Sequence, residues 1–139
     1  MNIVRSDIAR IERTRALMPS VSQPTEVLFN ILIVDDDRSV AYALDRALTE
    51  KGHTVNLAFS AEEGLHTLKD VPADIVLLDL FMPGMDGMEM LRRIKKTHPT
   101  TDVVTISGAG SMRAALGTLQ LDAFDFLPKP VQMRALMEV

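Results

Sequence analysis

Four short stretches of this chain put polar, chemically capable side chains directly after apolar runs. Asp35, Asp36 and Asp37 follow the run 31–34, Asp79 follows 75–78, Ser107 follows 103–106, and Lys129 follows 126–128. Carboxylates crowded into one crevice repel each other, and a bound cation relieves that repulsion. Carboxylate oxygens with water suit Mg²⁺, a hard octahedral ion that keeps several waters. No histidine or cysteine stands at these points, which disfavours a softer metal. A carboxylate can also accept a phosphoryl group as an acyl phosphate. In that chemistry a metal neutralises charge, and a lysine and a hydroxyl hold the remaining phosphoryl oxygens. Asp79 ends the most apolar run and is the best placed nucleophile. The plainer readings are structural. Asp37 stands just before Arg38-Ser39 as a helix cap, and Asp79 would open the turn at Pro83-Gly84.

These groups can meet only if the chain brings the ends of the apolar runs together. Residues 27–34 are nearly unbroken apolar sequence, as in a strand buried on both faces. A helix is predicted over about 38–51, stopped by Gly52. Residues 54–59 read as a second strand, and Ser60 with Glu63 forms a capping box for a helix through Lys69. A third strand covers 74–78. After Pro83-Gly84 and Gly87 a helix runs to about Thr97, ended by Pro99. A fourth strand covers 103–106, a helix runs from Ser111 to about Leu121, a fifth strand covers 123–127, and a last helix starts after Pro130. This alternation predicts an α/β fold: a five-stranded parallel sheet with right-handed crossovers and helices on both faces. Ligands of such sheets sit at the C-terminal strand ends, near the topological switch point. The second strand ends in Ala58 and Phe59 and offers nothing comparable to the other four.

Composition narrows the function classes. The chain has 139 residues, 47% of them apolar, enough for one domain with a sizeable core. Acids outnumber bases 19 to 15, for a net charge of −4. That argues against direct nucleic-acid binding by this piece. The absence of cysteine removes disulfides, thiolate nucleophiles and zinc–thiolate sites. No apolar run approaches the roughly 18 residues of a membrane span, and Asp7, Arg10, Glu12 and Arg13 interrupt any signal-peptide core. A cytoplasmic location and no membrane binding are expected. His53, His66 and His98 lie away from the polar strand ends, so a phosphohistidine role is not expected of them. The nine methionines read as core filler, although Met82, Met85, Met88 and Met90 could line the pocket edge.

Residues 1–26 read as an N-terminal extension and linker. Ser6 could cap a helix to about Met18 carrying Ile8, Ile11 and Leu17, with Arg5, Arg10, Arg13 and Arg15 making it basic. Pro19 ends it and 20–25 is linker-like. The plain expectation is a short extension on the domain, and the sharper one a dimerisation or docking helix. The last helix, about residues 131–139, lacks a glycine stop. It is expected to be cut within the element, with an output domain possible beyond Val139.

Three segments together resemble the signatures of bacterial response-regulator receiver domains. They are Ile31-Leu32-Ile33-Val34-Asp35-Asp36-Asp37, then Leu77-Leu78-Asp79-Leu80-Phe81-Met82-Pro83-Gly84-Met85-Asp86-Gly87, and Phe124-Asp125-Phe126-Leu127-Pro128-Lys129-Pro130. The resemblance covers about residues 27–139, and its flavour is that of enhancer-binding transcription activators. It implies a flavodoxin-like strand order 2-1-3-4-5 and a signalling switch phosphorylated by a sensor histidine kinase or phosphotransfer protein. Asp79 would accept the phosphoryl group. Asp36 would bind Mg²⁺ directly and Asp35 directly or through water, with Asp79 and the backbone carbonyl of Phe81 completing the protein ligands. Lys129 would pair with the phosphoryl oxygens, Ser107 would be the switch hydroxyl, and Phe126 the aromatic that moves between outward and inward states. The Lys129–Pro130 bond is often cis in the family. Phosphorylation-dependent homodimerisation is a further implied property. Phe81 and Ala109 depart from the polar types often found beside the phosphorylation site, which bears on the lifetime of the phosphoryl group.

Two other classes compete. Asp35-x-Asp37 after an apolar strand also resembles the first motif of haloacid-dehalogenase-type phosphatases, with Asp35 as nucleophile and Asp37 as acid. That enzyme needs an acidic pair after its fourth strand, and here Ser107-Gly108-Ala109-Gly110 follows instead. A phosphorylation-independent, receiver-like interaction module would typically lack one of the acids or the lysine, and this chain has them all. A dinucleotide-binding role lacks its glycine fingerprint after the first strand, where the acids would repel a phosphate.

Overall fold

The computed structural model describes residues 27–107 and 112–137. The extension 1–26, Ala109 and the chain end at 138–139 lie outside the described residues. The elements run β1 (Asn30–Val34), α1 (Arg38–Glu50), β2 (Thr54–Ala58), α2 (Ala61–Asp70), β3 (Ile75–Asp79), α3 (Gly87–Thr97), β4 (Asp102–Ser107), α4 (Met112–Gln120), β5 (Asp125–Pro128) and α5 (Met133–Met137). The strands form one parallel sheet in the order β2-β1-β3-β4-β5, the flavodoxin-like arrangement expected.

Local chemistry explains where the helices begin and end. Asp37 caps α1 by accepting from Ser39 N at 3.1 Å and Val40 N at 3.4 Å. The helix buries Ala41, Leu44 and Leu48, a stripe at helical spacing. It ends in a Schellman pair, with Gly52 N donating to Thr49 O and His53 N to Leu48 O. Gly52 takes the left-handed conformation this needs. Ser60 accepts from Glu63 N, but Glu63 returns its bond to Phe59 N rather than to the cap residue, so the capping box is offset by one. Asp86 caps α3 through Met88 N.

The sheet separates two apolar clusters. One, under α2 and α3, contains Leu32, Val34, Val76, Leu78, Leu68, Met90, Leu91 and Ile94. The other, under α1 and α5, contains Ile31, Ile33, Leu77, Val104, Ile106, Leu44, Leu48 and Leu136. Alternate residues of β1 and β3 enter opposite clusters, as strands buried on both faces must. Beneath α4 the contact is partly polar: Thr105 Oγ1 donates to Thr118 Oγ1 at 3.1 Å, both residues being buried.

Two strands start two or more residues later than the sequence pattern suggests. β1 starts at Asn30 and leaves Val27 and Leu28 exposed. Its pairing with β2 begins at Asn30↔Thr54 and with β3 at Ile31↔Ile75, so apolar residues further back have no strand alongside. β5 starts at Asp125, because Asp122 turns the chain through a positive φ and Ala123 is spent in the core.

Gly87 at the start of α3 sits against the loop that follows β3. A Cβ there would lie 2.6 Å from Leu80 Cα and 2.7 Å from Leu80 O. At an open helical position Gly→Ala stabilises by about 0.4–1 kcal/mol. Here backbone must move, so Gly87→Ala should destabilise by about 1–3 kcal/mol in urea unfolding. A variant as stable as the parent would show that the approach is looser than described.

Candidate functional site

Parallel pairing brings the C-terminal ends of β1, β3, β4 and β5 to one edge of the sheet. Val34 pairs with Leu78, so Asp35 and Asp79 emerge side by side. Both are buried, at 1% and 3% exposure, whereas Asp36 is exposed. One carboxylate oxygen from each of Asp35, Asp36 and Asp79 lies within 4.8 Å of the others. Asp37 is not part of this cluster; it is the α1 cap. Hydrogen bonds with Ser39 and Val40 hold its carboxyl below the usual carboxylate range.

Lys129 closes the site from β5. Its amide donates to Ser107 O at 2.9 Å, which ties the ends of β4 and β5 together. Its Nζ lies 3.1 Å from Asp35 Oδ2 and donates to Asp79 Oδ2 at 3.3 Å. Burial works against the ammonium charge, but the close contact with Asp35 and the Asp79 and Asp35 charges outweigh it and hold Lys129 above the ordinary lysine range. The Lys129–Pro130 peptide is cis.

The carboxylates are unequally satisfied. Asp35 Oδ1 accepts from Asp37 N at 2.9 Å, and Asp79 Oδ1 accepts from Phe81 N at 3.2 Å. Asp35 Oδ2 is buried with its ion-pair contact to Lys129 but no aligned hydrogen bond. Burial, then the charge of Asp35, push the Asp79 carboxyl up to about 6, against the pull of the Phe81 N–H and Lys129. With all three acids ionised, one ammonium leaves the cluster two charges negative. A buried acceptor without an aligned donor, oxygen-only ligands and that residual charge together fit a hard divalent cation.

Ser107 is buried at the end of β4 and Phe126 is half-buried on β5, opposite Thr105. Phe81 stands two residues after Asp79 and is 59% exposed. Met82 and Met90, expected at the pocket edge, are instead buried in the cluster under α2 and α3, with Met85 packed against it. The histidines stay away from the carboxylates, His53 Nδ1 accepting from Phe29 N and His98 Nδ1 lying 2.8 Å from Thr97 Oγ1. Sequence reasoning missed Glu62, on the first turn of α2, whose Oε1 accepts from Met85 N at 3.2 Å in the loop after Asp79. No motif signals it, since the bond joins residues 23 apart in sequence.

The raised Asp79 carboxyl has a sign that can be tested without metal. Its proton is held more tightly in the folded chain than at the unfolded value of 3.8, so its contribution favours folding below pH 4 and is lost as pH rises to about 6. In chelator, stability should therefore fall across that window. Asp79→Asn should flatten the fall and stabilise the protein at pH 7 by about 1–3 kcal/mol. Chemical denaturation at stepped pH checks this, and a destabilised variant at pH 7 would contradict it.

Comparison with known proteins gives a consistent picture. The model of the family described as "Response regulator receiver domain" matches residues 31–139. The chain is 42% identical over 98 residues to the DNA-binding transcriptional regulator NtrC of Klebsiella pneumoniae, covering 70% of this chain and 21% of that protein. It is 36% identical over 107 residues to the transcriptional regulatory protein AfsQ1 of Streptomyces coelicolor, covering 77% and 47%. The chain thus spans about a fifth of the NtrC relatives and under half of AfsQ1. Among solved structures, a CheY-like receiver domain protein from Methanospirillum hungatei superposes with a TM-score of 0.76 at 31% identity, over 81% of this chain and 90% of that one. NtrX from Brucella abortus does so with a TM-score of 0.77 at 33% identity, over 81% and 25%. The phosphatase reading falls with these matches, because a receiver domain is not an enzyme acting on external substrates. A match running from β1 to the chain end, on a sheet of this order with its acids gathered at one edge, has one reading: the chain belongs to the response regulator receiver domains of two-component systems.

Proposed function

We propose that this domain is a phosphorylation switch in which Asp79 takes a phosphoryl group from a sensor histidine kinase or phosphotransfer protein. The observation that carries the reading is the buried Asp35–Asp79 pair shared by one lysine, with Asp35 Oδ2 lacking an aligned donor. Asp35, Asp36, Asp79 and the Phe81 carbonyl would hold Mg²⁺. The ion, when bound, supplies charge neutralisation for the acceptor and the incoming phosphoryl oxygens. An ionised Asp79 oxygen attacks phosphorus, the bond from phosphorus to the donor nitrogen breaks, and the donor leaves with that electron pair. Lys129, already drawn to Asp79 Oδ2, turns its ammonium to the transferred oxygens, and Ser107 donates its hydroxyl to another. Phe126 then fills the space Ser107 leaves, and the face formed by α4, β5 and α5 becomes the surface for dimerisation or output contact. No helix of the described residues is long and apolar enough to cross a membrane, and a cytoplasmic location suits the kinase partner. The region 27–139 is the receiver, and any output domain would follow it.

Asp79→Asn should abolish the acid-labile adduct formed with a small acyl-phosphate donor and Mg²⁺, because an amide cannot form an acyl phosphate. Intact-mass spectrometry reads this directly, and a full adduct on the variant would remove Asp79 from its role.

Phe81 and Ala109 carry the second expectation. Hydrolysis of the acyl phosphate needs a water aligned behind phosphorus, and such alignment can change rates by orders of magnitude. The side chains at these positions cannot orient that water, and the exposed Phe81 ring can shield the phosphoryl group. Self-dephosphorylation is therefore slow, and a partner phosphatase ends the signal. Phe81→Asn with Ala109→Glu should shorten the lifetime by about tenfold or more, followed as loss of phosphorylated protein with Mg²⁺ present. Equal lifetimes in parent and double variant would refute it.

A further inference from the structure

The loop between β3 and α3, residues 80–86, carries Phe81 and therefore the backbone group assigned to the metal. Its near end is fixed by Leu80 N donating to Ile106 O at 3.0 Å and by Phe81 N donating to Asp79 Oδ1 at 3.2 Å. Its far end is fixed by the Asp86 cap and by Gly87 pressed on Leu80. Met82 anchors the start of the span in the core. Between Met82 and Asp86, among the described residues, one polar bond ties the loop to another element: Glu62 Oε1, on α2, accepts from Met85 N at 3.2 Å. The same carboxylate lies over Gly84, whose Cβ, if present, would sit 3.4 Å from Oε1 and 3.7 Å from Oε2. Gly84 holds φ +87, so the turn presents backbone rather than a side chain to Glu62.

Glu62 is exposed and makes no described contact with the acids of the site, so it has no direct part in the chemistry. A loop peptide with an unanswered N–H in water samples several conformers, whereas a charge-assisted bond selects one. We propose that Glu62 is a positioning residue: by clamping the Met85 amide it holds the β3–α3 loop, and with it the Phe81 carbonyl, in the conformer that completes the cation site. The clamp links α2, an element without a residue in the site, to cation affinity. The proposal rests on the reading of the site as a Mg²⁺ centre.

The test uses the whole chain, with Mg²⁺ titrated alone and followed by amide NMR. Glu62→Ala removes the acceptor. Glu62→Gln removes the charge but keeps a side-chain oxygen that can accept from Met85 N, so the two variants separate hydrogen bonding from long-range electrostatics. Glu62→Ala should weaken the Mg²⁺ Kd by about tenfold, the low end for groups that orient a metal's ligand. Glu62→Gln should stay within about twofold of the parent, since the bond that orients the loop is retained. In metal-free protein the Met85 amide resonance should move upfield, and its proton exchange faster, in the alanine variant only. An unchanged Kd in both variants, or equal weakening in both, overturns the clamp. Asp36→Ala serves as the control for the site itself. If the parent shows no saturable Mg²⁺ binding, or Asp36→Ala binds as well as the parent, the metal reading fails and the clamp fails with it. A parent that binds through Asp36, beside a Glu62→Ala that binds equally well, sinks the clamp alone.

Discussion

Mutual repulsion among the carboxylates at the sheet edge is the constraint on which the rest of the domain depends. Asp35 and Asp79 are buried side by side, and one lysine reaches both. An isolated buried carboxylate would protonate or turn outward. Here neither escape is free, because each acid continues a strand locked into a central position of the sheet. Backbone amides of Asp37 and Phe81 each take one oxygen, which fixes the direction of the remaining ones. The site is held together by its surroundings and against its own charge.

The architecture supplies that hold. β1 and β3 are covered on both faces by separate apolar clusters, so a shift of Asp35 or Asp79 by an ångström would have to move packed leucines and valines on both sides. The edge members are held more lightly. Lys129 hangs on one main-chain bond to Ser107 and on its ion pairs, and α4 meets β4 through a hydroxyl pair rather than apolar packing alone. Rigidity therefore falls from the centre of the sheet towards β5, the side on which the proposed switch residues Ser107 and Phe126 lie.

Much of this was legible in the sequence because it rests on local chemistry. The caps at Asp37 and Ser60 are short-range side-chain-to-backbone bonds, and the apolar runs of β1, β3 and β4 reflect burial on both faces. The convergence of Asp35, Asp79 and Lys129 follows from parallel strand order. What was not legible depends on partners distant in sequence. The exposure of Val27 and Leu28 follows from where the neighbouring strands begin. The burial of Met82 and Met90 depends on a core assembled from β1, β2, α2, β3 and β4. The bond from Glu62 to Met85 N has no period or motif behind it, since any acceptor of suitable reach on α2 could make it.

Asp35 Oδ2, ion-paired to Lys129 but without an aligned hydrogen bond, has a consequence for how such a chain drifts. Most substitutions weaken a fold, and those that strengthen it tend to lie where function keeps strain. At this sheet edge, exchanging one acid for a neutral residue relieves repulsion, so the most accessible stabilising changes are also those that would silence the proposed switch. Selection for solubility or heat tolerance alone would push the chain towards an inert scaffold with the same sheet. An engineer stabilising this protein should therefore leave the acids alone and seek gains in places such as the exposed Val27 and Leu28 or the edges of α4.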